Sequence, residues 1–163
     1  MPFTNSGRKF EEYVYSYFKY NKDDWENLTP YIDGVHKKFS SYIKNNYKYD
    51  VKKILSKEIN PDFVFYNKKN KQIRVFEAKY IAPINSNGKK NSGSVDEKLQ
   101  TAPYKLKQLK KVFNNFFKTE DIKYIYILNK EFWDRKEYKD TYDYLNEYEE
   151  LDYILFDDTE ILF

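Results

Sequence analysis

The chain has 163 residues, a net charge of +3 and no cysteine, and aromatic residues make up 20% of it. This length suits a single domain, and 18 Tyr with 13 Phe can build its core, so a disordered chain is excluded. No apolar run reaches the ~18–20 residues that span a bilayer. The missing thiols rule out disulfides, a thiolate metal site and a cysteine nucleophile.

A cytoplasmic setting is expected from the absent cysteines and from a polar N-terminus without an apolar signal-peptide core. The charge is unevenly spread. Residues 1–118 hold 24 Lys/Arg against 12 Asp/Glu, whereas residues 119–163 hold 5 against 14. A basic front suits a polyanion, because each neutralised phosphate releases counterions. The alternative is a solvated lysine-rich surface.

In chain order, residues 8–20 predict an amphipathic helix, with Phe10, Tyr13/Val14 and Tyr17/Phe18 at helical spacing and Ser6 or Gly7 ahead as a cap. Residues 23–34 predict a short second helix or an irregular connection, punctuated by Pro30 and Gly34. Residues 39–45 predict a helix, and a strand is expected near Val51–Leu55. Residues 59–66 and 72–80 predict two strands joined by the polar turn 67–71, a β-hairpin. The polar stretch 85–94 is a predicted loop.

A basic helix is expected from Val95 or Asp96 to about Phe117, with Ser94 or Asp96 as cap and Pro103 in its first turn. The apolar run 122–128 predicts a central, parallel strand. An acidic, Tyr-rich helix over 131–150 and a strand over 151–156 complete the chain. Together these elements predict a single α/β domain over 1–163, a mixed sheet flanked by helices.

The predicted hairpin carries a group suited to phosphodiester chemistry. Pro61-Asp62 opens one strand, and Glu77-Ala78-Lys79 lies near the end of the next. Residues i and i+2 of a strand share a face, so Glu77 and Lys79 point the same way, and an antiparallel partner can set Asp62 opposite. Two carboxylates suit a hard oxygen-seeking cation, and a lysine can orient or deprotonate the attacking water. His36 is the only histidine, which leaves no histidine metal cluster and no serine triad, and it reads as ordinary packing or surface. Trp25, Trp133 and the tyrosines of 138–153 read as core. No glycine-rich phosphate loop appears, so no nucleotide cofactor is expected.

Pro61-Asp62, the hairpin turn and Glu77-Ala78-Lys79 resemble the PD-(D/E)XK nuclease superfamily. The resemblance implies a restriction-endonuclease-like αβββαβ core, whose first strand falls within residues 47–57. It implies Mg²⁺, with Mn²⁺ as a substitute, bound by Asp62 and Glu77, and Lys79 as the catalytic lysine. Family members carry a supporting glutamate on the first helix, which Glu11 resembles, with Glu12 as rival. Gln100 and Tyr104 match a Gln-x-x-x-Tyr element of RecB-like nucleases, so Gln100 is a further candidate. The alternative is an exposed Gln100 with Tyr104 in the core.

Residues 92–101 resemble a stretch found after the active-site hairpin of some type II restriction endonucleases. That likeness implies that Lys89, Lys90 and Lys98 contact double-stranded DNA. The expected activity is cleavage of both strands at a short specific sequence, by a homodimer or by two successive nicks. The alternatives are a structure-selective repair nuclease such as a Holliday-junction resolvase, and a nuclease subunit that needs a larger DNA-binding partner.

Overall fold

The computed structural model describes residues 7–18, 24–91 and 95–157. The candidate caps Ser6 and Ser94, and the last residues of the predicted first helix, lie outside them. Five strands form one mixed sheet: β1 (Trp25–Asn27), β4 (Phe63–Asn67), β5 (Gln72–Lys79), β6 (Asp121–Asn129) and β7 (Leu151–Phe156), side by side in that order. A separate ribbon pairs β2 (Tyr31–Ile32) with β3 (Val35–His36). The helices are α1 (Gly7–Tyr15), α2 (Phe39–Tyr47), α3 (Glu97–Gln100), α4 (Ala102–Phe117), α5 (Lys130–Trp133) and α6 (Lys139–Leu145). The mixed α/β class expected from the sequence is the class observed. Among the described residues no helix is long and apolar enough to cross a membrane.

Several elements differ from expectation for identifiable reasons. Residues 24–36 hold strands, not a second helix. β1 pairs antiparallel with β4, and buried Thr29 locks the end of that pairing by donating to Asn27 Oδ1 (3.1 Å) and accepting from the Val64 N–H (3.0 Å). The strand expected near Val51–Leu55 is a 3-10 turn over Val51–Lys53, because Asp50 Oδ1 accepts the Lys52 N–H and two lysines interrupt the apolar pattern. The sheet position beside β4 therefore belongs to β1, and not to residues 47–57.

The predicted basic helix is broken at Thr101, since Pro103 has no N–H to offer the carbonyl of Leu99. The acidic helix is likewise broken. Asp134 and Arg135 leave helical geometry, and a 3-10 turn over Lys136–Tyr138 precedes α6. The spacing of five from Trp133 to Tyr138 does not fit one helix face, yet both rings are buried. α2 ends where expected within two residues. Lys48 takes the left-handed conformation (φ 62°), and the N–H of Tyr49 reaches back to the Ile43 carbonyl, a Schellman closure.

The chain divides into two compact units, each assembled from separate segments. The first comprises Met1–Lys19, Ala78–Pro103 and Tyr126–Phe163. Its core holds Phe10, Val14, Phe132, Trp133, Leu145 and Phe156, with the Phe10 ring 5.6 Å from Tyr80 and 6.0 Å from Phe156. The Tyr142 hydroxyl donates to the Trp133 carbonyl at 2.6 Å.

The second unit comprises Tyr20–Glu77 and Tyr104–Ile125. Every residue of β4 is buried, and α2 and α4 meet through Phe39 and Phe113, whose centroids lie 5.4 Å apart. The side chain of Asp121 at the start of β6 accepts from Gln72 (3.1 Å) and Arg74 (3.2 Å), both on β5.

Two outcomes follow from this packing. Phe113→Ala should cost about 3–5 kcal/mol in urea denaturation, because a fully buried ring leaves a cavity. Burial raises the Asp121 pKa, but the hydrogen bonds from Gln72 and Arg74 and the charges of Arg74 and Lys123 outweigh it, leaving the group below its ordinary 3.8. A carboxyl depressed on folding stabilises above its unfolded pKa, and that contribution is lost as pH falls through the folded value. Asp121 is half exposed, so solvent screening keeps its contribution small. Asp121→Asn should lower Tm by about 1–3 °C at pH 7. The difference from wild type should shrink in thermal melts as pH falls below the ordinary carboxylate range.

Candidate active site

The hairpin predicted from sequence is present. β4 and β5 are antiparallel, with Phe63↔Phe76, Val64↔Val75 and Phe65↔Arg74 in register. The turn between them is set by Asn67, whose Oδ1 accepts the Asn70 N–H at 3.0 Å, and by Lys71 at φ 55°. Asp62 occupies a bend immediately before β4, and Glu77 follows Phe76, the register partner of Phe63. Both residues are half-buried, so they are partly desolvated but reachable.

Lys79 follows Glu77 at i+2 on the same strand and is also half-buried, with buried Ala78 between them turned to the other face. Its backbone is held: the Trp133 indole N–H donates to the Lys79 carbonyl at 3.2 Å. Burial, with the charge of Glu131 added, pushes the neighbouring Tyr80 hydroxyl up, so that phenol stays protonated at neutral pH.

The other predicted residues are placed as follows. Glu11 on α1 is half-buried and Glu12 exposed, which makes Glu11 the more inward of the two. Both belong to the first unit, whereas Asp62 and Glu77 belong to the second. Gln100 ends α3 and is exposed. Tyr104 is 66% exposed, with its hydroxyl 3.2 Å from the Gln108 amide, so the core position considered for it is not observed. Lys89 and Lys90 sit exposed on the turn after β5, where Ile84 and Lys90 form a bridge, and Lys98 is exposed on α3. His36 is packed against aromatic rings, and Trp133 is core, as expected. Trp25 is only half-buried, with the Arg74 guanidinium 6.0 Å from its ring.

Compared with known proteins, the chain matches no family model, no curated protein and no solved structure.

The donor set itself discriminates between metals. Among the described residues no group of three or more His, Cys, Asp or Glu side chains converges. A cation held at this place would have the carboxylates of Asp62 and Glu77 as its candidate protein ligands. That fits Mg²⁺, which is held by one or two carboxylates together with substrate phosphate and retains several waters. The same oxygen set accepts Mn²⁺. It does not fit a structural zinc, which wants four nitrogen, sulfur or carboxylate ligands.

Asn129 went unnoticed in the sequence. Its side chain accepts the Ile81 N–H at 2.9 Å and donates to the Ile81 carbonyl at 2.8 Å, a two-bond clasp on the segment just after Lys79. The signal was available, for Asn129 is a buried amide that ends an otherwise apolar strand. Replacing Asn129 by Ala leaves both Ile81 backbone groups without this partner and should cost about 1–3 kcal/mol. Hydrogen exchange should quicken at Ile81 and Ala82, while exchange in β4 stays as in the wild type.

Proposed function

We propose that this protein is a Mg²⁺-dependent endonuclease of the PD-(D/E)XK type, hydrolysing phosphodiester bonds of duplex DNA as a small restriction endonuclease. The observation that carries this reading is the hairpin itself: Asp62 immediately precedes β4, Glu77 follows Phe76, the register partner of Phe63, and Lys79 lies two residues on along β5. The charge of the chain favours the same substrate. The unit holding Asp62 and Glu77 carries 18 Lys/Arg against 10 Asp/Glu, whereas the other carries 11 against 16. A polyanion is drawn to the basic unit.

In this mechanism Asp62 and Glu77 would hold the cation, which when bound would polarise the scissile phosphate. Lys79 would orient or deprotonate the attacking water and offset the charge that accumulates on the phosphoryl oxygens. The clasp of Asn129 and the indole of Trp133 keep the end of β5 in one conformation, which preorganises Lys79. Glu11 and Gln100 would be auxiliary residues, and Lys89, Lys90 and Lys98 would meet phosphates. Cleavage of both strands follows from a symmetric dimer or from two successive nicks, and the enzyme works in the cytoplasm, where its DNA lies.

Long duplex DNA incubated with the protein and Mg²⁺ should give discrete fragments on a gel, and EDTA should prevent them. Lys79→Ala, Asp62→Asn and Glu77→Gln should each slow cutting by roughly 100-fold or more, with Tm unchanged or raised. Fragments that persist undiminished in all three variants would move the chemistry elsewhere. Cutting confined to four-way junctions would turn the reading to a structure-selective nuclease.

A further inference from the structure

The β2–β3 ribbon stands apart from the five-stranded sheet. It pairs Tyr31 with His36 and Ile32 with Val35, and the connection is Asp33-Gly34, at φ 52° and 76°. Two successive positive φ values define a type I′ turn, which Asp-Gly favours and which matches the twist of the strands. The base of the ribbon is pinned. The Lys37 N–H donates to the Pro30 carbonyl at 2.8 Å, and the His36 ring stacks 4.4 Å from Tyr31 and 5.5 Å from Phe63. Phe63 adjoins Asp62, so a stiff ribbon is anchored beside the carboxylate pair within one unit.

The tip carries side chains that do nothing for the core. Ile32 is 46% exposed and Val35 55% exposed. Being directly opposed, they share a face and make one aliphatic spot. Asp33 and Gly34 are exposed between them, and Lys37 and exposed Lys38 follow in the chain. The unit's excess of positive charge selects a polyanion as the occupant of this tip.

We propose that the β2–β3 ribbon enters the major groove and reads thymine, with Ile32 and Val35 packed on 5-methyl groups and Asp33 accepting from the exocyclic amine of a neighbouring cytosine. The inference rests on the nuclease reading and names its base-reading element. A two-stranded ribbon fits the major groove, the thymine methyl is the apolar feature displayed there, and a carboxylate pairs with cytosine N4. Lys37 and Lys38 meet the flanking phosphates, which position the ribbon without reading sequence.

The test compares one long duplex made by amplification with either thymidine or deoxyuridine triphosphate, which removes every 5-methyl group. Cleavage is measured in Mg²⁺, and binding is measured separately by gel shift in EDTA. Wild type should favour the thymine duplex by about 15-fold, from about 4-fold for each of the two methyl contacts. Ile32→Thr/Val35→Thr keeps both residues β-branched but replaces one apolar branch of each by a hydroxyl, and should discriminate less than wild type, with the wild-type melting temperature.

Equal handling of both duplexes by wild type would overturn the ribbon's role, as would undiminished discrimination by the double variant. A dimer in sedimentation that this variant dissociates would overturn it too, placing a second copy on the tip. Methyl-dependent binding without any cleavage would remove the nuclease reading and leave the ribbon standing. Cleavage without methyl dependence would do the reverse.

Discussion

The antiparallel register of β4 against β5 is the constraint on which the candidate chemistry depends. It is fixed from several sides at once. The side-chain period of a strand is two, so a slip of one residue would turn Val64 and Val75 out of their buried positions and carry Phe63 or Phe76 into their place. Both faces of β4 are buried, which leaves no tolerated alternative. Asn67 and Lys71 set the length of the turn. Hydrophobic burial thus pins the register up to Phe63 and Phe76, the residues next to the two candidate carboxylates.

Much of this was legible in the sequence. The strands over 63–67, 72–79, 121–129 and 151–156 announce themselves as runs of β-branched and aromatic residues bounded by polar turns, and the pairing of the first two follows from the shortness of their connection. That Glu77 and Lys79 share a face of β5 follows from strand period alone. The ribbon and β1 were not legible, since strands of two or three residues carry no periodicity and the Asp33-Gly34 signal lay among residues that suggested an irregular connection. The breaks at Thr101 and Asp134 were also hidden. Composition favours helix on either side of each, and only the tertiary destinations of Pro103, Trp133 and Tyr138 decide against continuity.

The polar groups inside the molecule show a division of labour. Thr29 and Asn27 close the edge of the sheet where β1 meets β4. Asn129 and Trp133 hold the backbone just beyond β5, and Arg135 donates to the Asn91 carbonyl at 2.7 Å while lying 4.1 Å over the Phe132 ring. Asn129 and Arg135 each direct hydrogen bonds to irregular backbone that the sheet does not reach. Irregular segments leave carbonyls and N–H groups that must find partners, and long polar side chains from neighbouring elements supply them.

The segmented make-up of the two units has a consequence for synthesis. A nascent chain that has emerged only as far as residue 125 already contains the whole sequence of the unit holding Asp62 and Glu77. It also contains Lys79, but the amide of Asn129 and the indole of Trp133 have yet to follow from the ribosome. The lysine-bearing end of β5 acquires its fixed backbone only when the C-terminal segment arrives. A chain made only as far as residue 125 thus carries the candidate residues without the hydrogen bonds that hold the segment following β5.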